Sequence, residues 1–132
     1  MVIYINSFIL FMVLFLANGN NTAQSSKLKQ TEKHYEGLWV DKKTTRYLEI
    51  SFKDGYATII DWTGKFQKRE SGDSYKAFLK NGKLIMPEDT EHHATYSEII
   101  AKDQTLICLT KSIGTGEIST TWDRQTFTRV RR

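Results

Sequence analysis

An all-β fold, an up-and-down antiparallel meander of about eight strands closing into a small barrel, is what the sequence predicts. Three observations carry it. From Tyr35 onward, short apolar bursts are separated by turn residues roughly every eight to twelve positions, the spacing of antiparallel sandwiches and barrels. Asp54-Gly55 and Asn81-Gly82 are hairpin turns in which both residues tolerate positive φ. No stretch after residue 24 sustains an apolar period of about 3.6 residues, so helices are not expected to build the core.

The elements follow in chain order. Tyr35–Val40 is the first strand and Arg46–Lys53 the second, with Leu48, Ile50 and Phe52 sharing one face. Tyr56–Trp62 comes after Asp54-Gly55 and ends at the Thr63-Gly64-Lys65 turn. Phe66–Glu70 and Tyr75–Lys80 form a more polar pair around Ser71-Gly72-Asp73. Lys83–Met86 follows Asn81-Gly82 and is stopped by Pro87, which has no ladder donor. Thr95–Ala101 and Thr105–Thr110 pair across Lys102-Asp103-Gln104, Ser112–Gly116 is a loop, and Ser119–Val130 is the last strand. Consecutive strands joined by short turns pair with their neighbours, and closing the meander removes the exposed edges. Ala57 and Ile59 oppose Ile60 and Trp62 on the two faces of one strand, so an outer face is available for contact.

With 132 residues the chain holds one small domain, and its single cysteine excludes both an internal disulfide framework and a Cys-rich zinc site. Its charge is unevenly placed: no charged residue precedes Lys27. Phe8–Ala17 is an unbroken apolar run of ten residues, the length of a signal-peptide core and short of the roughly 20 residues that span a bilayer. Cleavage after Gly19 or Ala23 fits the small-residue rule. Residues 1–23 are therefore expected to be a signal peptide of an exported (periplasmic or secreted) protein. The alternative is a short N-terminal anchor, because no Lys or Arg precedes the apolar core and the stretch is longer when counted from Met1. A membrane contact is expected only if that segment is retained. Residues 24–34 read as a flexible polar tether, and 35–132 as the barrel domain.

Gly37-Leu38-Trp39 opens the first strand as G-x-W, and the last strand ends Thr126-Phe127-Thr128-Arg129. This layout resembles the small bacterial lipocalin-like domains of the calycin superfamily. The resemblance implies a lipocalin-like barrel in which Trp39 plugs one end and Arg129 packs over its ring, with Gly37, Trp39 and Arg129 forming a structural lid. The chain is shorter than full-length lipocalins, lacks their T-D-Y-type second motif and shows no helix before the last strand.

Other chemistry-bearing residues read as structural. Glu88-Asp89-Thr90-Glu91-His92-His93 gathers metal-ligand types, but adjacent histidines on a strand face opposite ways, and a solvated loop after Pro87 is expected, with no metal site. Cys108 falls on the face of Leu106 as a buried, inert thiol. No G-x-S-x-G elbow occurs, and Gly114-Thr115-Gly116 is too short for a phosphate loop. Lys42, Lys43 and Arg46 would meet Arg124, Arg129, Arg131 and Arg132 across the first and last strands, yet Asp41, Glu49 and Asp123 are interspersed and no nucleic acid is expected. The expectation is thus a non-catalytic binding module without a cofactor, taking a small apolar or amphipathic ligand along Leu48, Ile50, Phe52, Tyr56, Ile60 and Trp62. The alternative is a cell-envelope protein-interaction or structural domain with a filled barrel.

Overall fold

A computed structural model describes residues 24–92, 94–111 and 121–131. The expected leader 1–23, His93, the Ser112–Gly116 loop with its glycines, the first residues of the last predicted strand and Arg132 lie outside the described residues. Among the described residues eight strands form the fold: β1 Gly37–Asp41, β2 Arg46–Lys53, β3 Tyr56–Thr63, β4 Asp73–Lys80, β5 Lys83–Met86, β6 Ser97–Lys102, β7 Thr105–Lys111 and β8 Trp122–Arg129. Each pairs antiparallel with its sequence neighbour, and β1 pairs with β8 through Trp39↔Arg129 and Val40↔Thr128, so the meander closes into a barrel. No described helix is long and apolar enough to cross a membrane.

The hairpin turns behave as their residues dictate. Asp54, Gly55, Asn81 and Gly82 all have positive φ, the geometry whose twist matches the flanking strands. They fix Lys53↔Tyr56 and Lys80↔Lys83 as closing pairs and thereby the registers of β2–β3 and β4–β5.

Two local expectations fail. Phe66–Glu70 is not a strand: Phe66 and Gln67 donate their amides to the Thr63 carbonyl at 2.9 and 2.8 Å, and Arg69–Ser71 is a turn of 3-10 helix. Phe66 is left exposed, so the segment has no apolar face to bury against the barrel. Residues 24–35 are helical where a flexible tether was expected. Lys, Gln, Glu and Leu are good helix formers, and a helix with no apolar stripe escapes a search for periodicity.

The core fills one half of the barrel. Residues facing each other across a ladder share a sheet face. Leu48, Ile50, Ile59, Ala77, Leu84, Ile99, Leu106 and Phe127 accordingly bury together inside. Tyr35 and Trp39 plug this end: the Tyr35 hydroxyl donates to the Gly82 carbonyl at 2.6 Å, and the Trp39 indole donates to the Tyr35 carbonyl at 2.8 Å. Arg129 lies over the Trp39 ring, 4.2 Å from its centroid, and donates to the carbonyls of Glu36 and His34. A side chain at residue 37 would place its Cβ 2.8 Å from the end of the Arg129 guanidinium, which would have to shift, and φ there is +130°, a conformation that favours glycine.

Candidate functional site

The other end of the barrel is open, and its chemistry changes there. Two residues along the same inward face, toward this end, Leu48 gives way to Arg46, Ile59 to Asp61, and Ala77 to Tyr75. On the far wall Ile99 gives way to Ser97, Leu106 to Cys108 and then Thr110, and Phe127 to Gln125. Arg46, Asp61, Tyr75, Ser97, Cys108, Thr110 and Gln125, with Asp41, Met86 and Arg124 at the rim, line a cavity of about 590 Å³.

One network spans the cavity. Arg46 donates Nε to Asp61 Oδ1 at 3.0 Å, Nη2 to Asp61 Oδ2 at 2.8 Å and Nη1 to Gln125 Oε1 at 2.5 Å. Gln125 passes the polarity on, its Nε2 donating to Asp41 Oδ2 at 2.8 Å and Thr44 Oγ1 at 3.2 Å. The guanidinium also sits over Phe127, 5.7 Å from the ring centroid, which marks the floor where the filled half begins. Asp61 holds Arg46 in its charged form against the cost of burial. The Gln125 amide, above all, keeps the Asp41 carboxyl below the usual carboxylate range. Ser97 Oγ and Thr110 Oγ1 bond each other at 3.0 Å on the opposite wall. Burial pushes the Cys108 thiol up, as expected for an inert core cysteine.

The structure divides the six residues expected to line a ligand site, and none of them lines this cavity. Leu48, Ile50 and Phe52 point inward but are packed into or against the filled half. Tyr56, Ile60 and Trp62 point outward, because the register sets Trp62 opposite Tyr47, Ile60 opposite Glu49 and Tyr56 opposite Lys53. Trp62 stacks on Tyr47 at 5.1 Å and is buried from outside, where residue 72 approaches its Cβ so closely that a side chain there would be 3.1 Å away. Sequence reasoning missed Arg46, Asp61 and Gln125, whose signal is a polar residue two positions from a core residue on strand after strand.

The remaining candidates are accounted for locally. Asp89, Glu91 and His92 offer ligand atoms within 4.8 Å of one another, but all three are exposed. Asp89 already caps its own turn, Oδ1 accepting from the Glu91 and His92 amides and Oδ2 lying 2.6 Å from His92 Nδ1. The basic residues of the β1–β2 turn and of β8 are neighbours as expected, yet Arg46 turns inward to Asp61 and Arg129 covers Trp39. Lys42 and Arg131 remain outside, beside a groove of about 730 Å³ that also touches Val40, Tyr47 and Val130.

The fold and its open end together define a closed eight-stranded antiparallel barrel, filled at one end and polar at the other. Comparisons with protein-family models, with curated proteins and with solved structures find no match to this chain.

Proposed function

We propose that the chain is an exported lipocalin-like binding module that takes one small amphipathic molecule through the open mouth without transforming it. The carrying observation is the cavity of about 590 Å³, within the roughly 300–1,000 Å³ range of small-molecule sites, with Arg46 lying over Phe127 at its base and polar groups around it. Arg46 uses three of its five N–H groups on Asp61 and Gln125, leaving two for acceptors on a ligand head group. Met86 and Tyr75 supply apolar surface beside it. Membership of the calycin superfamily is supported by the Trp39–Arg129 contact at the plugged end. Binding without catalysis is supported by the burial that pushes the Cys108 thiol further from its nucleophilic thiolate form and by the mutual engagement of Arg46 and Asp61. Export is supported by the ten-residue apolar run Phe8–Ala17 and the small residues that follow it.

Native mass spectrometry of the purified chain, followed by solvent extraction, tests this reading. A stoichiometric small molecule on the wild type, absent from a folded Thr110→Trp variant that fills the mouth, is the expected result. A bare wild type that also takes up nothing from an amphiphile library overturns it.

A further inference from the structure

The barrel wall has a gap, and its cause is a single residue. β4 pairs with β3 through Asp73–Ala77 but with β5 only through Phe78↔Ile85, Leu79↔Leu84 and Lys80↔Lys83. The next backbone-bonded pair in that register would join Lys76 to Pro87, which has no N–H to give. The chain instead leaves the sheet and folds into a turn closed by the Asp89↔Ala94 bridge. The first half of β4 is left as an edge inside an otherwise closed barrel.

The directions of its backbone groups follow from the hairpins. In a two-residue hairpin the closing residues bond each other, and alternate residues then bond the same neighbour. From Lys53↔Tyr56, Ala57, Ile59 and Asp61 turn their amides and carbonyls toward β4, where they meet Ala77, Tyr75 and Asp73. Ser74 and Lys76 therefore present theirs to the open side, and counting back from Lys80↔Lys83 gives the same answer. Both residues are exposed. Roughly 13 Å of edge is open, at about 3.3 Å per residue.

Beside this edge runs a groove of about 560 Å³ whose apolar lining is Tyr75, Phe78, Met86, Pro87 and Ala94. Phe78 is 45% exposed, unusual for a phenylalanine on a strand. Three carboxylates, Asp73, Glu88 and Asp89, border the groove. Among its described lining residues Lys76 is the one lysine or arginine, and its ammonium rests 4.8 Å from the Tyr56 ring centroid.

We propose that the β4 edge is a docking site for an extended basic peptide segment of a partner protein, which adds as a strand along Ser74 and Lys76. The unpaired backbone groups demand an extended main chain, Asp73 on the inner sheet face with Glu88 and Asp89 selects lysine or arginine on one face of it, and Phe78 on the outer sheet face takes an apolar side chain on the other. This surface adjoins the mouth, sharing Tyr75, Met86 and Ala94 with it, but the proposal does not depend on the small-molecule reading.

The test uses the full chain and a hexapeptide of alternating lysine and valine. The probe should slow hydrogen exchange at the Ser74 and Lys76 amides by about tenfold or more, the protection an added strand confers. A counterpart methylated on alternate backbone nitrogens, and a Glu-Val counterpart, should each bind about tenfold more weakly, as should the lysine peptide to Asp73→Lys/Glu88→Lys. Unchanged exchange at those amides overturns the proposal. Equal affinity of the methylated peptide, or of the acidic one, also overturns it. Protection already present in the free chain and growing with its concentration would assign the edge to a second copy instead.

Discussion

Arg46 and Asp61 are diagonal neighbours on the inner face of the β2–β3 hairpin, Arg46 lying opposite Thr63 and Asp61 opposite Leu48, and two hydrogen bonds join them. Their side chains keep 30% and 18% of their exposure, so the pair is neither a surface ion pair nor a fully buried one. Arg46→Met would strand the Asp61 carboxylate and is expected to destabilise the fold by roughly 1–3 kcal/mol, below the range for a dry pair because water still screens it. Adding Asp61→Leu should restore most of that loss, since the stranded charge is gone. Urea melts of the two variants check this, and an Arg46→Met melt matching the wild type would remove the pair from the stabilising contacts.

The register itself is testable by truncation on the two faces. Ile50→Ala opens a cavity in the filled half and should cost about 2–4 kcal/mol, while Ile60→Ala on the outer face should cost under about 1 kcal/mol. Reversed magnitudes would mean that β2 and β3 present the opposite faces to the interior.

At the plugged end, Gly37→Ala combines a strained backbone with a Cβ pressed on Arg129, and a loss of roughly 1–3 kcal/mol is expected. Arg129→Ala should remove the cation over Trp39, at a cost of about 1–2 kcal/mol, and shift tryptophan emission. Thermal melts with fluorescence read both. Gly37→Ala melting with the wild type would show that β1 does not need that conformation.

The mouth network predicts an acid limb. Gln125 lowers the Asp41 carboxyl below its ordinary 3.8, so the folded state holds this proton more weakly than the unfolded chain does. Its contribution is complete above the ordinary value and is lost as pH falls through the lowered one. In NMR titrations Gln125→Ala should move the Asp41 midpoint back upward, toward 3.8. A midpoint unmoved by the substitution would contradict the amide's role.

Burial raises the Cys108 thiol, so at neutral pH the native chain should react with a disulfide reagent at least about a hundredfold more slowly than the unfolded chain. Comparable rates in the two states would place the thiol at an accessible surface.

Much of the fold was legible because turn residues punctuate it. Asp54-Gly55, Asn81-Gly82 and Pro87 set three boundaries by backbone chemistry alone, and the structure keeps all three. Phe66–Glu70 misled because one aromatic residue among polar ones looks like a strand until its neighbours are asked what they bury. The ligand face misled for a subtler reason: β3 is apolar on both sides, and composition cannot say which side is inside. The hairpin could have said it. Closing at Lys53↔Tyr56 places Leu48 opposite Asp61 and Ile50 opposite Ile59, which sends Ile60 and Trp62 outward by counting. The mouth needed all the registers at once, since Arg46 and Gln125 are 79 positions apart and meet only when the barrel closes.

The boundary at Phe127 has an engineering consequence. Apolar burial is concentrated on one side of that ring and polar groups on the other, so the rim can be diversified at Asp123 or Arg124 while the apolar half and the Arg46–Asp61–Gln125–Asp41 network are left alone. A library built on those positions would explore new ligands with little risk to the scaffold.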